Sequence, residues 1–129
     1  MSRNQPETRR LVLLVNDDPA GGEAVDEWLE MRGAAILRAF STAHALELMK
    51  RARMNVVISD LARNEGQLLN KMAGMELARA IRNSGSDVPL VIYTRDKSPM
   101  VRELAVEAGA NYVTERPDEL VDWLEKMGL

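Results

Sequence analysis

The chain has no cysteine, which excludes disulfides and thiolate metal sites. Its one histidine, His44, has no partners for a metal site and is expected to face solvent in the first turn of a helix. Aromatic residues are scarce, with two tryptophans, two tyrosines and one phenylalanine, too few for a platform on which single-stranded nucleic acid could stack. Basic charge is not in excess either. The 17 basic side chains are outnumbered by 20 acidic ones, and they are scattered rather than striped, so no phosphate-backbone footprint is present and no nucleic-acid partner is expected. No apolar run approaches the length of a bilayer span, and residues 1–9 lack the apolar stretch of a secretory signal. These absences together predict a cytoplasmic protein with no membrane association.

What remains is the composition of an ordinary globular chain, 46% hydrophobic and 29% charged over 129 residues. At this length roughly two thirds of the unfolded surface can be buried, which is enough for one core. Leu11-Val12-Leu13-Leu14-Val15 is a continuous apolar run that reads as a buried strand. Asn16-Asp17-Asp18-Pro19 follows at once, with Asp18 placed to cap a helix and Pro19 suited to its first position. Val25, Trp28 or Leu29, and Met31 give that helix an apolar side, and Gly33 ends it.

Residues 34–40 form a second short strand. Ser41 or Thr42 then caps a helix reaching to about Arg53. The run Asn55-Val56-Val57-Ile58-Ser59-Asp60-Leu61 is apolar, β-branched and bounded by polar residues, and it reads as a strand buried on both faces. Residues 61–72 have no period and exceed the roughly 2–6 residues usual for a βα loop; a long loop beside a strand end is often functional. Met75, Leu77, Ala78 and Ile81 mark a third helix, and residues 88–93 a fourth strand. Ser98-Pro99 opens a fourth helix that closes at Gly109. Residues 110–114 form the weakest strand, and Pro117-Asp118 opens a last helix with Leu120, Val121, Leu124 and Met127 facing inward.

Five strands alternating with five helices argue for an α/β fold, a parallel sheet covered on both faces and joined by right-handed crossovers. In such a sheet ligands gather beyond the carboxyl ends of the strands. Asp17, Asp18, Asp60 and Thr94 would all lie at that edge. Crowded carboxylates repel, and a hard divalent cation relieves the repulsion, so the implied site is an acidic Mg²⁺ pocket with oxygen ligands.

In order and spacing, several pieces resemble the receiver domain of two-component response regulators. They are Val-Asn-Asp-Asp-Pro at 15–19, Ala-Leu-Glu-Leu-Met at 45–49, Val-Val-Ile-Ser-Asp-Leu at 56–61, Gly-Met-Glu-Leu-Ala-Arg-Ala-Ile-Arg at 74–82, Pro-Leu-Val-Ile-Tyr-Thr at 89–94, Ala-Gly-Ala at 108–110 and Arg-Pro at 116–117. The resemblance implies a flavodoxin-like α/β/α sandwich of strand order 2-1-3-4-5. The polar residues 1–9 read as a flexible tail, and the resemblance implies a single receiver domain over residues 10–129, expected to carry no output domain.

By the same resemblance Asp60 is the phosphoacceptor, forming an aspartyl phosphate with a phosphoryl group from a histidine kinase or phosphotransfer protein. Mg²⁺ would be held by Asp17, Asp60 and the backbone carbonyl of Ala62, with Asp18 and, through water, Asn16 as further contributors. Thr94 matches the switch hydroxyl, and Arg116 stands in place of the family lysine. The domain is expected to be a signalling module rather than an enzyme, beyond autophosphorylation from small donors and autodephosphorylation. Its surface of fourth helix, fifth strand and fifth helix would meet a downstream protein or a second copy of itself.

The sequence departs from the family pattern at Asn16, where an acid is usual, at Arg95, where a small residue is common, at Arg116, and in the length of the loop after Asp60. The aromatic switch position falls on Tyr112 or Val113. An alternative favoured by Asn16, Arg95 and the long loop is a phosphorylation-independent pseudo-receiver acting as a binding or adaptor module.

Overall fold

The structure is a computed structural model and describes residues 10–17, 23–66, 68–95 and 98–129, apart from the side chains of Glu23 and Ala24. The expected tail over 1–9 and the expected cap Asp18-Pro19 lie outside the described residues.

Along the chain run β1 (Leu11–Val15), α1 (Glu23–Met31), β2 (Ala35–Ala39), α2 (Thr42–Arg51), β3 (Val56–Ser59), β4 (Arg63–Glu65), β5 (Leu68–Asn70), α3 (Ala73–Asn83), β6 (Leu90–Tyr93), α4 (Pro99–Ala108), β7 (Tyr112–Thr114) and α5 (Pro117–Lys126). Five of the strands make one sheet in the order β2-β1-β3-β6-β7. Every pairing within it is parallel. With the two hairpin strands left out of the count, this is the 2-1-3-4-5 order expected of a flavodoxin-like sandwich.

Alternation along the strands sorts the core into two layers, because successive side chains of a strand point to opposite faces. Val12, Leu14, Val56, Ile58 and Val91 pack with Val25 and Leu29 of α1 and Leu120 and Leu124 of α5. Leu13, Val15, Val57, Leu90 and Ile92 pack with residues of α2, α3 and α4, among them Ala45, Leu77, Ile81 and Ala105. Asparagines fix two of the strand starts. The Asn55 side-chain oxygen accepts from the Leu11 amide at 2.8 Å, and that of Asn111 accepts from the Leu90 amide at 2.8 Å.

Two expectations about methionine are corrected. Met31 is 86% exposed and Met127 40% exposed, since Met31 is the last residue of α1 and Met127 lies just past the end of α5. Leu129, by its buried side chain, closes the layer beneath α5 instead.

The larger correction concerns residues 61–72, expected to be a loop without regular structure. They contain an antiparallel hairpin in which Arg63 pairs with Asn70, Asn64 with Leu69 and Glu65 with Leu68. Gly66 supplies the positive φ, 73°, that tight hairpin turns require. The excursion is sealed at its base, where the Gly74 amide donates to the Leu61 carbonyl at 2.8 Å.

At Gly74 the second residue of α3 approaches the end of β3 so closely that a Cβ would penetrate the Asp60 carbonyl oxygen and lie 3.1 Å from the Leu61 Cα. Both obstacles are backbone. Gly74→Ala is therefore expected to destabilise the fold by about 3 kcal/mol, as overpacking against unyielding atoms does, and urea denaturation measures it.

Candidate functional site

Because the sheet is parallel, the carboxyl ends of β1, β3, β6 and β7 share one edge. Val15 is in register with Ser59, and Ser59 with Ile92, so Asn16 and Asp17, Asp60 and Thr94 emerge from three neighbouring strands. The Asp60 amide donates to the Val15 carbonyl at 3.0 Å, and the Thr94 amide to the Thr114 carbonyl at 2.9 Å. A cavity of about 20 Å³, lined in part by Asn16, Ser59, Asp60 and Tyr93, lies beneath this edge.

The residue that organises the site was not foreseen. Arg63, on the first strand of the hairpin, is only 1% exposed. Its Nη1 donates to the Asp60 carboxylate and to Ser59 Oγ at 3.1 Å, and its Nη2 to Thr42 Oγ1 at 3.0 Å and the Ala73 carbonyl at 3.3 Å. The Glu65 carboxylate stands 3.5 Å from Nε. Burying a guanidinium is costly unless its charge and donors are met; here two carboxylates, two hydroxyls and a carbonyl surround it, and Nε faces Glu65 without a hydrogen bond.

The hairpin is held down by two further contacts. Glu65 accepts from the Thr42 amide at 2.8 Å and from the Thr42 hydroxyl at 2.7 Å, which sets a carboxylate at the amino end of α2 where the helix dipole favours it. Asp17 Oδ2 accepts from the backbone amide of Asn64 at 2.7 Å and from its side-chain amide at 3.0 Å.

These environments push the two hairpin-bound carboxylates in opposite directions. Burial raises Asp60 to about 6, with the Arg63 charge and hydrogen bond working against that rise and the Asp17 charge adding to it. For Glu65, burial is outweighed by the hydrogen bonds from Thr42 and by Arg63, so its carboxyl is held below the usual range.

Of the other expected site residues, Thr94 lies half-buried at the same edge, and Ala62 and Arg95 are exposed. Arg116 is at the N-cap of α5 and makes a two-pronged pair with Asp118, 3.1 Å from Nε and 2.9 Å from Nη2. The groups acting on its guanidinium are Asp118, Glu119 and Glu115, whereas those acting on Asp60 are Arg63 and Asp17. The structure therefore pairs Asp60 with Arg63, and Arg116 with Asp118. Asp18 lies outside the described residues.

Magnesium requires oxygen ligands with lone pairs to spare. Asp17 Oδ2 already receives two N–H donors, Asp60 faces a guanidinium, and Asn16 adds no charge. Among the described residues no three acidic or imidazole side chains converge on one point. A dication a few ångströms from a fixed guanidinium is repelled by several kcal/mol at an effective dielectric of about 20. The donor set in this arrangement does not fit Mg²⁺.

A model of the response regulator receiver domain matches residues 12–125. The chain belongs to this family. Response regulator MprA of Mycobacterium sp. (strain KMS) is 28% identical over 116 residues, which are 90% of this chain and 48% of that protein; the receiver thus spans about half the length of the curated relatives it matches.

Among solved structures, the BeF3-activated N-terminal receiver domain of Klebsiella pneumoniae RstA is 25% identical with a TM-score of 0.75, covering 92% of this chain and 97% of that one. The receiver domain of Francisella response regulator 1452 is 20% identical with a TM-score of 0.77, covering 92% and 96%, and supports the fold. No described helix of the receiver is long and apolar enough to cross a membrane.

The raised Asp60 carboxyl carries a pH signature with a definite sign. Between the ordinary carboxyl value of 3.8 and about 6 the folded state binds a proton that the unfolded state has lost, so this contribution is fully present below 3.8 and fades as pH rises through about 6. Relative to Asp60→Asn, the wild type is expected to lose about 2 kcal/mol between pH ~4 and pH ~7, after allowance for solvent screening. Urea midpoints at the two pH values measure the difference.

Proposed function

We propose that the receiver accepts a phosphoryl group on Asp60 from a histidine kinase or phosphotransfer protein and signals through altered protein contacts. The observation that supports this most directly is the Asp60 carboxylate itself. It stands at the carboxyl end of a central strand, still 19% exposed, with a cation against one oxygen. A carboxylate attacking an anionic phosphoryl group needs positioning and charge neutralisation more than it needs a base. An Asp60 oxygen forms the new bond to phosphorus while the P–N bond to the donor histidine breaks, and the departing ring nitrogen keeps the electron pair. Arg63 supplies a fixed positive charge beside the arriving oxygens, and Thr94 supplies a hydroxyl at the same edge.

The new phosphoryl group brings strong acceptors to the neighbourhood of Arg63 and competes with Glu65 and Thr42 for its donors. This biases the equilibrium between two arrangements of the edge, which is how a local charge becomes a population shift. The face of α4, β7 and α5 is the proposed meeting place for a downstream protein or a second copy. Tyr112 lies on it, half-buried, and stacks on Trp123 with ring centroids 6.1 Å apart, while Val113 is buried.

A second reading, a phosphorylation-independent binding module, is favoured by the pairing of Arg116 with Asp118, which leaves the expected basic residue engaged elsewhere. Intact mass after incubation with a small acyl phosphate, in Mg²⁺ and in chelator, separates the two. The wild type is expected to gain one phosphoryl group in at least one condition and Asp60→Asn none. A wild type that stays unmodified in both replaces the acceptor reading with the binding module, and an Asp60→Asn variant that gains the same mass removes Asp60 as the acceptor.

A further inference from the structure

We propose that Arg63 is the resident cation of this site and takes the place of the divalent metal, so that the Asp60 pocket is built to work without Mg²⁺. The inference extends the acceptor reading of Asp60, but it concerns metal binding and can stand or fall separately.

Three features of the geometry carry it. First, the guanidinium is in the interior rather than resting on the surface, since the Arg63 side chain has no exposed area. A surface arginine could swing aside for an ion; this one would have to leave Asp60, Ser59, Thr42 and Ala73 together. Removing one member of a buried charge pair leaves the other uncompensated, which opposes the exchange.

Second, the hairpin that carries Arg63 also occupies the other acid. Asn64, the next residue, places two N–H donors on Asp17 Oδ2. Adjacent residues on one strand thus engage Asp17 and Asp60, each through one carboxylate oxygen, and an amide donor and a metal ion cannot share the same lone pair.

Third, a positive charge already stands among the acids without a metal. Asp60 and Glu65 flank Arg63, and the position before Asp17 is the uncharged Asn16. A cation that a two-acid metal site would recruit from solution is here part of the chain.

The test is Mg²⁺ titration followed by calorimetry and by thermal unfolding, on the wild type, Asn16→Asp and Arg63→Met. The wild type is expected to show neither heat of binding nor a rise in Tm at millimolar Mg²⁺. Asn16→Asp, which restores an acid but keeps Arg63, is expected to behave the same way. Arg63→Met keeps an apolar stem of similar length and removes the charge; it is expected to gain Mg²⁺ affinity by roughly tenfold or more and a Tm that rises with the metal.

Wild-type binding at millimolar Mg²⁺ that is lost in Asp17→Asn would overturn the proposal. So would binding by Asn16→Asp, or a folded Arg63→Met that gains nothing. If Arg63→Met fails to fold with or without the metal, the Asn16→Asp titration decides alone. A mere packing role for Arg63 predicts loss of stability in Arg63→Met but no gain of metal affinity.

Discussion

A guanidinium buried beside two carboxylates is the constraint on which the edge of this receiver depends. Arg63 has no water to fall back on, so each of its neighbours is committed: Ser59 and Thr42 by their hydroxyls, Ala73 by its carbonyl, Asp60 and Glu65 by their charge. Those partners come from β3, α2, α3 and the hairpin. The interaction therefore ties the end of the central strand to both flanking helices, and a change of charge at Asp60 is felt by each of them.

The sheet prepares this arrangement without determining it. Parallel pairing and the register of Val15 with Ser59 and Ser59 with Ile92 are sufficient to gather Asp17, Asp60 and Thr94. Such an edge can hold a metal, a phosphoryl group or a cationic side chain equally well. Which one it accommodates is decided by the segment between Leu61 and Gly74, whose arginine and asparagine reach the two acids.

Most of the sheet was legible in the sequence because its signals are local. Val56-Val57-Ile58 and Leu13-Leu14-Val15 are apolar runs that only a strand covered on both sides can bury, and Pro99 and Pro117 mark helix starts by their missing N–H. The helix-facing residues of α3 recur at a spacing visible by eye. Met31 and Met127 misled because an apolar period says nothing about where a helix stops meeting its neighbours.

The hairpin was not legible for a different reason. Arg63-Asn64-Glu65 has neither β-branching nor alternation, and its stability comes from contacts with Asp17 and Thr42, far away in sequence. An arginine in a polar loop ordinarily reads as solvated; the one available hint was its place three residues beyond the acid in a loop of unusual length. Arg116 drew attention through the family pattern, and in the structure it pairs with Asp118, two residues on.

The bond from Gly74 to Leu61 means that the chain leaves and re-enters the fold at nearly the same point. A segment whose two ends already touch can be lengthened, shortened or exchanged at little entropic cost to the rest, while β3 and α3 keep their positions. The chemistry of the acidic edge is thus separable from its scaffold. Evolution could re-equip the pocket by swapping an interchangeable cassette, with no strand of the sheet disturbed.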